Sequence, residues 1–365
     1  MKNIINYAAE ASENFQDRAF NAVDSLVLSQ FAYLHFDGFV PGIAEAVKPV
    51  SIAEISGRDN HDIIFQDTLS SKKNRKLLEA LAGSPRFRNV GVTYYVNTID
   101  VQAEKQFSAL TYLLDHKRAY IAYRGTDATF VGWKEDFNMA FISPVPSQQE
   151  GAAYLNTLGE KISGDLLIGG HSKGGNIAIY SAINCNSSVQ NKITHVFSHD
   201  APGFRKEVLS SGDYLNMRDR IYNTIPQSSV IGMLLQHCGN YSVVKSNRLG
   251  ILQHDPYSWL IDNDDFQYVQ RVNNSAIFKN KTLDDWLNAL DDKKRKVFID
   301  TLYQVVKASE AETYFDLTED WRKRAVAVLE AIKDIDEETR KFVRQTIGAL
   351  LGYALKNLLE IHDSR

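Results

Sequence analysis

Residues Asp165 to Tyr180 read D-L-L-I-G-G-H-S-K-G-G-N-I-A-I-Y, and this stretch restricts the possible folds more than any other. Leu166, Leu167 and Ile168 form an unbroken apolar run, the mark of a strand buried on both faces of a parallel sheet. Four glycines and a serine follow before the pattern turns helical. Gly170-His171-Ser172-Lys173-Gly174 fits G-x-S-x-G, the nucleophile elbow, in which a strained strand-to-helix turn lifts a serine Oγ out of the sheet edge. Small residues are needed at Gly170 and Gly174 because strand and helix backbones pass too close there for a Cβ. The same five letters arise by chance in glycine-containing loops, but here strand, turn and helix are all in place. A serine is not a nucleophile by itself. It needs a base, an orienting acid and oxyanion donors, all of which must come from elsewhere in the chain.

A chain of 365 residues exceeds what one hydrophobic core usually holds, which predicts a large domain with an appendage, or two domains. The pattern divides into a helical N-terminal region at 1–88 packed on the core, an α/β core at 89–279 and a helical C-terminal region at 280–365. The net charge of -4 and pI near 6.2 give no general attraction to nucleic acid or anionic lipid. The two cysteines, Cys185 and Cys238, form no metal-spaced set and fit a reducing cytoplasm, as small core side chains. The N-terminus lacks an apolar run of signal-peptide length, and no segment reaches the ~18 consecutive apolar residues of a spanning helix. The expectation is therefore a cytoplasmic protein with no transmembrane segment, whose membrane contact would be peripheral.

Along the chain, Asp24-Ser25 reads as a cap for a helix with Leu26, Val27, Leu28, Phe31 and Leu34 on one apolar stripe. Lys72 to Ala82 reads as another helix, stopped by Gly83 and Pro85, and its Lys/Arg content as a solvated face. Val90 to Ile99, Gln106 to Leu114 and Arg118 to Tyr123 are β-rich runs separated by Asp/Lys-containing turns, an antiparallel meander. A helix from Gln149 to Ile162 leads into the elbow strand, and strands at Ile193 to Ser198, Arg220 to Asn223 and Val243-Val244 follow its helix. Past Asn280, Thr282 and Asp285 match a capping box, and Val343, Ile347, Leu350, Leu351, Ala354, Leu355 and Leu358 share one side of a long helix. The fold class is α/β, a mostly parallel sheet with an antiparallel meander at its start and helical regions at both ends.

Ile121-Ala122-Tyr123-Arg124-Gly125-Thr126, with Trp133 and Asp136 downstream and Gly-His-Ser-Lys-Gly-Gly later, resembles the class 3 (fungal-type) lipase branch of the α/β-hydrolases over about Val90 to Trp259. Asp200-Ala-Pro-Gly-Phe, Pro226-Gln-Ser-Ser-Val-Ile-Gly-Met-Leu and Gln253-His-Asp-Pro-Tyr-Ser-Trp are similar to a bacterial lipase-like family of unsettled function. Only imidazole exchanges a proton with serine near neutral pH without large tuning, and the α/β-hydrolase order of serine, acid, histidine restricts the base to histidines well after Ser172. His195 and His199 come too soon, His237 lies in a Leu-rich segment and His362 in the tail. His254 remains, and the resemblance selects the same residue.

The class 3 pattern implies an acid in the Pro226 to Ser229 region, where Gln227, Ser228 and Ser229 offer no carboxylate. Asp200, at the end of the preceding strand, is the nearest acidic candidate, with Ser228/Ser229 as a replacement without charge and Asp255 as a weaker one. A turn aspartate folding onto its own amides is the structural alternative for Asp200. The Lys173 amide begins the elbow helix, where the dipole favours an oxyanion, and the resemblance implies the Thr126 amide as a second donor, with its hydroxyl as a possible third. The Lys173 side chain is left to meet either an anionic substrate group or water.

The expected function is a serine esterase that cleaves acyl or lipid esters, with Ser172, His254 and Asp200 as catalytic residues and Thr126 and Lys173 as the oxyanion hole. Its partner is a small-molecule acyl ester or lipid, with no nucleic acid and no metal or organic cofactor. The competing reading is an inert lipase-like binding module, drawn from the missing carboxylate after Pro226. Interfacial triglyceride hydrolysis would require Ala128 to Phe141 to act as a lid.

Overall fold

The computed structural model describes residues 1–45, 48–66, 68–127, 130–139, 143–229, 231–233, 235, 241–273, 337, 340 and 341. The C-terminal stripe from Val343 to Leu358, the capping box at Thr282, and His237, Cys238 and His362 lie outside the described residues.

The chain runs through α1 (Ile4–Glu10), α2 (Ala22–Phe31), β1 (Val50–Ser51), α3 (Ile52–Ser56) and α4 (Ser71–Gly83). The strands β2 (Gly91–Asp100), β3 (Lys105–Leu113) and β4 (Arg118–Tyr123) follow, then α5 (Phe130–Asn138), α6 (Pro146–Lys161), β5 (Asp165–His171) and α7 (Lys173–Asn184). After them come β6 (Ile193–His199), β7 (Ile221–Pro226), β8 (Tyr241–Val244), β9 (Ile261–Asp262), β10 (Asp265–Phe266) and β11 (Tyr268–Val269). One nine-stranded sheet has the order β1-β2-β3-β4-β5-β6-β7-β8-β11, and β9 and β10 form a separate hairpin. Pairing is antiparallel from β1 to β4, parallel from β4 to β8 and antiparallel again at β11. This is an α/β-hydrolase-like fold, a mostly parallel sheet with an antiparallel start.

The meander turns form because Asp carboxylates bind the amides two and three residues on. Asp100 accepts from Gln102 and Ala103 at 3.0 Å each, and Asp115 from Lys117 and Arg118 at 2.8 and 2.9 Å. Strand periodicity then sorts side chains into two cores. In β4, Tyr120 and Ala122 face the helices α1 to α4, packing with Leu26, Phe31 and Leu77, whereas Ala119, Ile121 and Tyr123 face α6 and α7, packing with Leu155, Leu158 and Ile177. The N-terminal helices thus form one of the two layers that cover the sheet. Cys185 is buried in the second core, and burial pushes its thiol up to about 12.

Helix α2 begins differently from its sequence reading. Its cap is Asn21, whose side chain accepts from the Asp24 amide while Asp24 returns to the Asn21 amide, so Asp24 sits inside the helix rather than before it. The same Asp24 carboxylate, fully buried, is gripped by Arg86 through Nε at 2.8 Å and Nη2 at 2.6 Å. Arg86 spends its other donors on the carbonyls of Glu13, Asn14, Arg18 and Ala19. A buried pair with every donor engaged holds its loop in one geometry, and removing one partner leaves an uncompensated charge in the core. Deeper in the same layer, His199 bridges Ser25 at 2.9 Å and Thr224 at 3.2 Å, and burial pushes its imidazole down to about 3. It is a neutral structural histidine.

Candidate active site

The parallel register brings the two key strand ends together. His171 of β5 pairs with His199 of β6, so Ser172 and Asp200 are the next residues on adjacent strands, at the carboxyl edge where open α/β sheets place their ligands. Both leave the strand with positive φ: Ser172 at φ 58 and ψ -135, Asp200 at φ 48. Non-glycine residues in this region cost about 1–3 kcal/mol each and cluster at functional sites. The elbow is possible because a Cβ on Gly174 would lie 2.0 Å from the Tyr123 carbonyl oxygen and one on Gly170 2.3 Å from the Gly174 carbonyl carbon. The Ser172 amide donates to the His199 carbonyl at 2.9 Å, tying the turn to β6.

His254 ends a 3-10 turn, Gly250–His254, and its Nδ1 lies 2.6 Å from Asp200 Oδ2. A carboxylate only accepts, so Nδ1 carries the proton and the neutral ring presents a lone pair at Nε2, the tautomer a general base needs. The other Asp200 oxygen accepts from Ser229 Oγ at 2.5 Å and from the Gly232 amide at 3.1 Å. The carboxylate is 1% exposed and the imidazole 18%. The two serines weighed as substitutes for the acid therefore divide: Ser229 supports Asp200, and Ser228 Oγ accepts from Asn273 at 2.7 Å. Asp255 turns away, pairing with Lys73 at 2.9 Å and accepting from the Tyr257 amide at 3.0 Å. Lys73, read from the sequence as part of a solvated face, instead pins the loop that follows His254.

Gly232 lies in the Pro226 to Leu234 motif without a role assigned to it there, yet a Cβ on it would fall 2.3 Å from Asp200 Oδ1. His171 has the signal of its place in the elbow, although chain order excludes it as the base. Its ring lies 4.5 Å from that of His254 at 36°, its Nε2 donates to the His254 carbonyl at 2.9 Å, and burial holds its pKa well below the ordinary histidine value.

The turn Arg124-Gly125-Thr126 lies against the elbow, since a Cβ on Gly125 would be 3.1 Å from Ser172 Cβ. The Lys173 amide is at the first position of α7, where backbone N–H groups have no intrahelical acceptor. Its side chain meets neither substrate anion nor water: Nζ is buried and donates to Glu135 Oε2 at 3.0 Å and to the Gln106 carbonyl at 2.9 Å. Glu135 also accepts from the amides of Gln106 at 3.1 Å and Ser147 at 2.8 Å. Helix α5, which holds most of the described residues of the segment considered as a lid, is thus tied to α7 by a buried ion pair and to β3 through the Gln106 amide.

The Thr126 hydroxyl is also committed. It donates to Asp136 Oδ2 at 2.5 Å, while Asp136 Oδ1 is buried without a hydrogen-bond partner. Burial pushes the Asp136 carboxyl up to about 6, only partly offset by the Lys173 cation and the Thr126 hydrogen bond. With the folded pKa above the ordinary 3.8, the contribution to stability is complete below about pH 4 and lost as pH rises through about 6. Asp136→Asn is therefore expected to melt higher than the wild type above pH 6, with the gap closing toward pH 4. A melting difference that is constant across this range would contradict it.

Among the described residues, no group of three or more His, Cys, Asp or Glu is placed to hold a metal ion, and no helix is long and apolar enough to cross a membrane. Comparison with solved structures finds likeness to the native Rhizomucor miehei lipase propeptide complex, at 14% identity over 47% of this chain and 59% of that chain with a TM-score of 0.35. M37 lipase is similar at 15% identity over 59% of this chain and 70% of that chain, also with a TM-score of 0.35. The chain therefore spans 59% of the Rhizomucor structure, and neither likeness bears on the chemistry of the site. Comparison with curated protein sequences gave no match. The Mbeg1-like family model matches residues 81–304, which include the elbow, Asp200 and His254, and the chain belongs to the Mbeg1-like family.

Proposed function

We propose that the protein is a serine hydrolase of acyl or lipid esters, of the class 3 lipase-like type. The observation that carries this reading is the His254 imidazole, bonded through Nδ1 to the buried Asp200 carboxylate at 2.6 Å and set against the ring of His171, the residue that precedes Ser172. Ser172 Oγ attacks the ester carbonyl carbon as His254 Nε2 takes its proton, and Asp200 stabilises the imidazolium that forms. The amides of Thr126 and Lys173 hold the tetrahedral oxyanion. Collapse transfers the proton to the leaving alkoxide, and a water activated by His254 releases the acid from the acyl-enzyme. The Asp200 carboxylate at 2.6 Å from His254 Nδ1 supports this reading over the inert binding module that was drawn from the missing carboxylate after Pro226.

A fluorophosphonate probe is expected to label the folded protein once, with the adduct mapped to the peptide containing Ser172. Recovery of that peptide unmodified from folded protein would overturn the reading.

A further inference from the structure

We propose that Tyr33 is a positioning residue for the base, acting through His171 on His254; this rests on the reading of His254 as the base. Tyr33 lies just past the end of α2, and its amide donates to the Gln30 carbonyl at 3.2 Å. Its hydroxyl is 3.1 Å from His171 Nδ1 and, more distantly, 3.4 Å from the His171 carbonyl. The polarity of this chain follows from its far end. The His254 carbonyl is only an acceptor, so His171 Nε2 carries a proton and donates to it. A neutral imidazole protonated at Nε2 presents an acceptor at Nδ1, so the phenol must donate. His171 is 4% exposed, which keeps the ring in that neutral form.

Two directed hydrogen bonds therefore run from Tyr33 to the backbone of the residue whose side chain exchanges the proton, while the ring they orient packs against that side chain at a 36° tilt. The phenol also touches the oxyanion turn, because a Cβ on Gly125 would lie 2.1 Å from Tyr33 Oη and 3.1 Å from Ser172 Cβ. One hydroxyl from the N-terminal helical layer thus abuts the elbow and the turn carrying Thr126, and reaches the base loop through His171. Without it, Nδ1 loses its donor, the alternative tautomer becomes accessible, and the His254 loop loses the partner that fixes its carbonyl.

Tyr33→Phe removes only the oxygen. Its kcat on a p-nitrophenyl ester is expected to fall between about tenfold and about 10²-fold, as for a small misplacement of a reacting group. KM should stay within about twofold, the signature of a loss expressed in the transition state. The downfield proton resonance expected for His254 Nδ1–H in the wild type should broaden or move in the variant. His171→Gln, whose amide retains one donor and one acceptor, should keep more turnover than His171→Leu. Wild-type kcat and an unmoved resonance in a folded Tyr33→Phe would overturn the proposal, as would equal losses in the two His171 variants. If the wild type neither turns over esters nor takes the fluorophosphonate, the hydrolase reading fails, and the resonance comparison still decides the role of Tyr33.

Discussion

Ser172→Ala is expected to lower ester turnover by about 10⁴-fold to 10⁶-fold, the range in which removing a triad nucleophile leaves only oxyanion and binding contributions. Thermal unfolding should stay close to that of the wild type, because only one hydroxyl is deleted and the amide of residue 172, which donates to the His199 carbonyl, is retained. Both quantities can be read from one preparation, by a p-nitrophenyl ester assay and a melting curve. Turnover that survives the substitution would show that another group does the chemistry, and would end the assignment of Ser172.

Asp200→Asn is expected to cost about 10⁴-fold in kcat, because an amide in place of the carboxylate disfavours the Nδ1–H tautomer and cannot stabilise imidazolium. The substitution also disturbs the donors on the other oxygen, Ser229 Oγ at 2.5 Å and the Gly232 amide at 3.1 Å. Ser229→Ala separates the two contributions. It leaves the carboxylate in place and removes one charge-assisted hydrogen bond, which at roughly 1.5–3 kcal/mol corresponds to a loss of about tenfold to 10²-fold if fully expressed in the transition state. A Ser229→Ala loss as large as that of Asp200→Asn would place the orienting function on the serine instead.

Much of the fold could be read from local pattern. The strand Arg118 to Tyr123 is found with those bounds, and the meander and the elbow strand and helix lie within a few residues of their sequence limits. These elements follow from short-range rules: apolar alternation, aspartate turns and glycines at a close backbone crossing. The start of α2 was misplaced because Asn21 and Asp24 both suit a cap, and only the reciprocal bonds between them distinguish the cap from its partner.

The candidate site divides in the same way. Sequence by itself determined the elbow motif around Ser172, the narrowing of candidate bases to His254, and the amide at the head of α7, because each is tied to a local motif or to chain order, whereas the Thr126 amide was implied by the family resemblance alone. It left the acid open among Asp200, Ser228/Ser229 and Asp255, because loop composition says nothing about where a side chain points. Tertiary structure supplies the geometry that supports Asp200: the β5–β6 register sets it beside Ser172, and the loop closing 54 residues later brings His254 Nδ1 to its carboxylate. It also turned Lys173 inward to Glu135 and set Tyr33 against His171, 138 residues away. Contacts of such separation depend on how layers and loops close around the sheet, and no local period records them.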